Sequence, residues 1–305
     1  MTSTRSRTVT RIRRVVALGA VLTLTALLVP DAGPSPTRAA LVRVQGGDAV
    51  DADDDVVWIL ALGSDARRGQ SVLGSRADAI QLVGMNLRTG HATIIGIPRD
   101  SYVDIPGHGT NKINSAMVSG GPQLMASAVA TMVGLTPDYV FTTSFWGFRF
   151  MVQRMAPLSV YSPFSWSIPA ATVQRGENQL DGAEAIAFAR MRKALPGGDF
   201  DRSRDQGFLL IAGLRRVREL TERGPGQLER LLVSFLANTY VDLPPDELYR
   251  LARAVLGIDP SRVTSCVVGG STGTVGGASV VFANITRARS IVDRSRDDAT
   301  LEGGC

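Results

Sequence analysis

Three apolar runs lying close together constrain this chain more than anything else in it. VVWILAL (residues 56–62), AIQLVGMNL (79–87) and HATIIGI (91–97) each have the length and composition of a buried strand. Arg88-Thr89-Gly90 separates the last two as a turn, so these two form a hairpin. Helical patterns follow at residues 113–118 and 123–133, then a strand at 139–145 and a short helix at 147–155. Asp181-Gly182 opens a helix over 181–190, with Glu184 placed to complete a capping box. Amphipathic helices are expected at 208–222, 227–236 and, after Pro244-Pro245, 246–255. Short strands at 263–268 and 278–282 precede a final helix from Ile285. SYVDIPGHGTNK, residues 101–112, reads as a loop. Strands mixed with helices throughout imply an α/β fold: a three-layer α/β/α domain with a central mixed sheet.

Ahead of this domain stands VVALGAVLTLTALLVP, residues 15–30, without a charge. Arg5, Arg7, Arg11, Arg13 and Arg14 precede it, the basic flank and apolar core of an export signal. At ~1.5 Å per residue the run spans about 24 Å as a helix, slightly short of a ~30 Å hydrocarbon core. No good A-x-A site follows, which favours an uncleaved anchor over a cleaved signal peptide. The expected organisation is a cytoplasmic basic tail (1–14), a single membrane helix (15–30), a Pro-, Ala-, Gly- and Asp-rich stalk (31–55) and an extracytoplasmic domain (56–305). Without the five arginines, 28 basic residues balance 28 acidic ones, which argues against nucleic-acid binding.

Several chemistries are excluded. GGSTG, residues 269–273, matches a nucleophile elbow, but His91 and His108 are the only histidines and both come earlier than a hydrolase triad requires. A glycine-rich turn between strands accounts for it instead. Two histidines and two cysteines so far apart do not make a zinc site, so a metal here would be bound by oxygen. Cys266 and Cys305 would be free to pair in an exported chain, although their spacing does not decide it.

What remains is a set of carboxylates and arginines. Asp65 follows the first strand and Asp78 begins the second, so both stand at the ends of one loop. Two carboxylates suit Mg²⁺ (or Mn²⁺), which keeps much of its octahedron for water and phosphate oxygens. Arg99 follows the third strand at the same sheet edge, and Arg76 lies two residues before Asp78. Arg190 and Arg192 end the helix of AIAFARMRK, where a continuing helix would point them to opposite sides. A break near Arg190 would let both forks face Asp65 and Asp78, around a guest with the geometry of a diphosphate.

These pieces resemble the LytR-CpsA-Psr family of cell-wall phosphotransferases, of actinobacterial type by composition. The resemblance rests on GSDAR, SRADAIQLV, IGIPRDSYVDIPG, the lysine and asparagine of NKINSA with GGPQL after it, the run from Gly176 through LDGAEAIAFARMR, and GDFDRSRDQ. It implies transfer of a glycopolymer from a polyprenyl-pyrophosphate carrier to peptidoglycan, outside the cytoplasmic membrane. It also implies that Asp65 and Asp78 bind Mg²⁺, while Arg76, Arg99, Arg190, Arg192 and Arg202 hold the pyrophosphate. Gln206 would stand at the same site, with Lys112 and Asn114 supporting the loop beside it. The lipid tail would need an apolar tunnel, with helices at 125–133, 145–155 and 208–217 as candidates. The chain departs from the family at Ala156-Pro157-Leu158, where Gly-Gly-Val is usual, and at Asp205, where an arginine is usual. A polyprenyl-diphosphate hydrolase and a non-catalytic receptor for lipid-linked or anionic polymer are the competing readings.

Overall fold

The computed structural model describes residues 38–50 and 55–305. Its centre is a mixed sheet of seven strands in the order β12-β1-β7-β2-β3-β4-β13. The strands are β1 (Ala39–Arg43), β2 (Val56–Ser64), β3 (Ala77–Asn86), β4 (Ala92–Gly96), β7 (Tyr139–Ser144), β12 (Thr239–Asp242) and β13 (Val263–Val267). Smaller antiparallel pairs are β5 (Tyr102–Ile105) with β6 (Gly109–Lys112), β8 (Leu158–Ser162) with β11 (Gly176–Leu180), β9 (Trp166–Ile168) with β10 (Ala171–Val173), and β14 (Gly270–Val275) with β15 (Ala278–Ala283). The helices are α1 (Ala116–Val133), α2 (Phe145–Met155), α3 (Gly182–Arg190), α4 (Asp199–Thr221), α5 (Gln227–Leu236), α6 (Pro245–Gly257) and α7 (Ile285–Ser295).

Strand periodicity sorts side chains onto the two sheet faces. Trp58, Leu60 and Leu62 of β2 share one core with Met125 and Val129 of α1 and Ile291 of α7. Val57 and Ile59 share the opposite core with Leu232 of α5 and Leu248 and Leu251 of α6. A third core, around the fully buried Phe188, joins α2, α3 and α4 to the β8–β11 pairs. Helix α4 packs against β3, β4 and β13 with nothing between. A Cβ on Gly96 would come 2.5 Å from Ser203 Oγ, and one on Gly207 would come 2.5 Å from Ser265 Oγ.

Several expectations are corrected. Residues 39–43 belong to no stalk: β1 lies between β7 and β12, with Ala39 through Val42 buried, because AALVR pairs on both edges. The domain therefore begins well before residue 56. The basic tail and the apolar run lie outside the described residues, and among those described no helix is long and apolar enough to cross a membrane. Residues 101–112 form the β5–β6 hairpin rather than a loop. The GGSTG segment enters strand β14 rather than a turn. Helix α1 breaks at Gly120 and Gly121, the latter at φ 65°, between the two helical patterns seen in the sequence. Cys266 and Cys305 form a disulfide, tying the C-terminus to β13.

Candidate functional site

The site is built at one edge of the sheet by strand direction. β3 runs antiparallel to β2 and β4, pairing Ser64 with Ala77 and Gln81 with Gly96. β7 runs parallel to β2 and pairs Ser144 with Ser64. Asp65, Arg99 and Phe145, which follow these strand ends, and Asp78, bulged between the paired Ala77 and Ala79, therefore gather at a common edge. The Asp65 amide donates to the Arg76 carbonyl at 3.0 Å and closes the intervening loop at its neck.

Arg99 is the centre of the charge network. Its Nη1 lies 2.5 Å from Asp78 Oδ1, and its Nε lies 3.9 Å from Asp100. Lys112 reaches Asp100 from the other side at 3.1 Å, and the Asn114 amide donates to the Arg99 carbonyl at 3.3 Å. Burial works to lower the Arg99 guanidinium, but Asp78, by charge and hydrogen bond, and then Asp100 and Asp199 outweigh it and hold it above its ordinary value. Arg202, buried on the first turns of α4, is ion-paired with the buried Asp199. Burial lowers the Arg202 guanidinium, Asp199 opposes this, and Arg99 lowers it further as a nearby like charge. Two guanidinium groups held this close by buried acids suit a dianionic guest.

Gln206 ties three elements together. Its side-chain amide donates to the Ala189 carbonyl at 3.0 Å and to the Asp78 carbonyl at 3.4 Å, joining the end of α3 to the start of β3. Gln81 supports it from the sheet, donating to the Ser203 carbonyl at 2.9 Å. Helix α3 starts with the expected capping box and stops at Arg190, where Met191 turns extended at ψ 132°. The Arg190 guanidinium lies 4.9 Å from the centre of the Phe145 ring. Asp65, Arg76 and Arg192 are exposed.

Direct contacts, with Asp100 as the bridge to Lys112, thus unite Asp78, Arg99, Gln206, Lys112 and Asn114, while Arg202, paired with Asp199, joins them through its electrostatic influence on and from Arg99 and Asp78. Arg190 reaches the edge through Phe145, and Arg76 through the backbone of Asp65. Among the described residues, no ion pair or hydrogen bond joins Arg190 or Arg192 to Asp65 or Asp78, so the expected meeting of both forks with these aspartates is not formed: Arg190 stacks on Phe145 and Arg192 is exposed. Sequence reasoning did not find Asp100, Asp199, Gln81, Ser203 or Phe145. The acid–base alternation of DFDRSRD was the one available signal for Asp199.

Asp205 neither points outward nor faces the charge network. It is fully buried, 3.6 Å from Arg204, and burial together with the Asp201 charge pushes its carboxyl up to about 7 against the pull of Arg204. Asp65 and Asp78 are a hard oxygen pair at adjacent strand ends, the exposed Asp65 with its carboxylate open, which fits Mg²⁺ or Mn²⁺ carried mainly by water and substrate oxygens. Among the described residues no cluster of three or more His, Cys, Asp and Glu stands ready as an all-protein metal cage. The three candidate tunnel helices do not share one core: residues 125–133 pack in the sheet core with α7, whereas Phe148, Val152, Phe208 and Leu209 pack around Phe188.

Residues 35–297 match the LytR_cpsA_psr family. The regulatory protein MsrR of Staphylococcus aureus (strain COL) is 34% identical over 158 residues, 50% of this chain and 47% of that protein. The polyisoprenyl-teichoic acid–peptidoglycan teichoic acid transferase TagU of Bacillus subtilis (strain 168) is 35% identical over 161 residues, 52% and 51% respectively. The matches to these curated relatives thus span about half their length. In fold the chain is similar to YwtF (TagT) of Bacillus subtilis with bound octaprenyl pyrophosphate lipid, at a TM-score of 0.61 and 21% identity, covering 85% of this chain and 100% of that one.

Proposed function

Because the chain belongs to the LytR_cpsA_psr family, we propose that it transfers a glycopolymer from a polyprenyl-diphosphate carrier to peptidoglycan, forming a phosphodiester. The observation that carries this reading is the convergence of Asp78, Arg99 and Arg202 at one sheet edge, with Gln206 holding the end of α3 beside them. The name of TagU and the lipid bound to YwtF support the substrate class.

An acceptor hydroxyl of the peptidoglycan sugar attacks the phosphorus bonded to the glycopolymer. The bond from that phosphorus to the bridging oxygen breaks, and polyprenyl phosphate leaves with both electrons. Arg99 and Arg202, held by their acids, keep their remaining N–H groups for phosphate oxygens whose charge grows at that moment. Arg190, with Arg76 and Arg192 on the exposed rim, extends the same field outward. Lys112 and Asn114 hold the segment that carries Arg99. Asp65 and Asp78 would hold Mg²⁺ or Mn²⁺, which supplies further neutralisation of the diphosphate. The proton of the attacking hydroxyl passes to a carboxylate of this cluster, the site residues including no histidine. The domain works at the outer face of the cytoplasmic membrane, carried there by the N-terminal apolar run.

The test is to incubate the full chain with a lipid-diphosphate glycan, a peptidoglycan acceptor and Mg²⁺, and to follow phosphate and sugar separately. Glycan attached to peptidoglycan is the expected result, with polyprenyl phosphate release reduced at least ~100-fold in Asp78→Asn. Release of lipid phosphate without attached glycan would make the protein a hydrolase. Lipid binding with no covalent product would sink the enzymatic reading.

A further inference from the structure

Helix α2 carries Phe145, Trp146 and Phe150 along 11 residues and no acidic side chain. Arginines from three other segments of the fold and from the helix itself stack on these rings. Arg190 covers Phe145 at 4.9 Å, Arg68 covers Trp146 at 3.8 Å with Arg149 at 5.9 Å, and Arg38 and Arg154 lie 5.1 and 4.6 Å from the Phe150 centre. The remaining guanidinium–ring stack among the described residues is Arg204 over Phe164. Cation–π pairs occur at roughly one per 70–80 residues, so this concentration on one helix is a local feature. The acids nearest in the packed helix α3, Asp181 and Glu184, are committed to each other's backbone in its capping box.

A guanidinium stacked on a ring is held flat with its in-plane N–H forks turned outward, which is a preorganised phosphate binder. Arg38 and Arg154 each give one Nη1–H, to Asn238 Oδ1 and Ser234 Oγ, so Arg68, Arg149 and Arg190 present the fuller forks. Trp146 is 39% exposed, whereas Trp58 and Trp166 are 4% and 7% exposed. An indole left in solvent between two guanidinium groups has the chemistry of the membrane interface, where rings lie at headgroup level and basic groups meet lipid phosphate. A hydrated soluble polyanion would satisfy the arginines but give the indole nowhere to bury. The helix starts directly after Ser144, level with Ser64, so the ladder borders the site.

We propose that α2 and the arginines stacked on its rings form a surface that lies on anionic phospholipid headgroups. This rests on the proposed function for its placement, since a lipid diphosphate reaches the site at headgroup level, and the ladder would hold the sheet edge at that height.

The test uses the full chain in vesicles of phosphatidylcholine alone or with phosphatidylglycerol, each carrying acyl chains brominated near the headgroup. The other two tryptophans being buried, quenching reports Trp146, and Trp146→Phe should remove it. Quenching at least twofold stronger with phosphatidylglycerol is expected, falling to the phosphatidylcholine level in Arg68→Glu/Arg149→Glu. Equal quenching in both vesicles, or quenching unaffected by the charge reversal, would overturn the proposal. So would an emission change with inorganic polyphosphate and none with anionic vesicles, which would assign the ladder to a soluble polyanion. No substrate is present, so loss of transferase activity with intact quenching would sink the enzymatic reading and leave this one standing.

Discussion

Replacing Asp205 with asparagine should flatten the dependence of stability on pH. Asp205 is fully buried at the start of α4, and its carboxyl is pushed from 3.8 to about 7 by burial and by Asp201, against the opposing charge of Arg204. Between those two values the unfolded chain has released the proton while the folded chain still holds it. Stability therefore falls as pH rises, by about 1.4 kcal/mol per unit, and the whole loss of about 4 kcal/mol is in place once the pH passes the folded value. From pH 5.5 to 8.5 the share still to be lost is about 2 kcal/mol. The measurement is urea unfolding of the native protein and of Asp205→Asn at those two pH values, with the disulfide intact. The wild-type difference should exceed that of the variant by about this amount, whatever fixed cost the amide carries at both. Parallel pH profiles for the two proteins would refute the reasoning, and would mean that Arg204 keeps Asp205 ionised throughout.

Other parts of the site give separate outcomes. Chelation should abolish polyprenyl phosphate release, with Mg²⁺ or Mn²⁺ restoring it, and calorimetric Mg²⁺ binding should be lost in Asp65→Ala and Asp78→Ala. Phe145→Leu keeps apolar volume but removes the ring beneath Arg190; at about 0.5–1 kcal/mol, the KM for the lipid substrate should rise about two- to fivefold with the unfolding midpoint little changed. Cys305→Ser opens a disulfide spanning 39 positions and should cost about 4 kcal/mol in urea unfolding while leaving the charge network in place.

The sheet centre was legible because β2, β3 and β4 are apolar and closed by turns, and strand polarity then places Asp65, Asp78 and Arg99 at one edge. β1 was hidden because its five residues follow a segment of stalk-like composition, and only pairing on both sides reveals why they are buried. The β8–β11 pairs were hidden because proline and serine interrupt the alternation in YSPFSWSIPAATV. The first turns of α4 are the most instructive omission. DFDRSRDQ has the composition of a solvated surface, yet Asp199, Asp201, Arg202, Asp205 and Gln206 are all buried. Composition misleads here because Arg202 pairs with Asp199 and Arg204 with Asp201 inside the fold, while Asp205 is buried with its carboxyl pushed up toward the neutral form. Asp100 escaped notice because its partner Lys112 lies across the β5–β6 hairpin, whereas Asp199 pairs with Arg202 one helical turn on and is hidden by the polar composition around both.

The seating of α4 on the sheet through Gly96 and Gly207 sets a limit on how this site can vary. With hydrogen where other residues carry carbon, Gly96 leaves room for the Ser203 hydroxyl of α4 and Gly207 for the Ser265 hydroxyl of β13, so the helix that carries Arg202 and Gln206 sits close on the sheet. A methyl at either glycine would first have to displace that serine hydroxyl, and a crowding that the hydroxyl's rotation does not relieve would shift α4 and with it Arg202 and Gln206 relative to Asp78 and Arg99. Chains that keep both glycines are expected to keep this spacing and to vary instead in the loops and exposed rim, where Asp65, Arg76 and Arg192 stand.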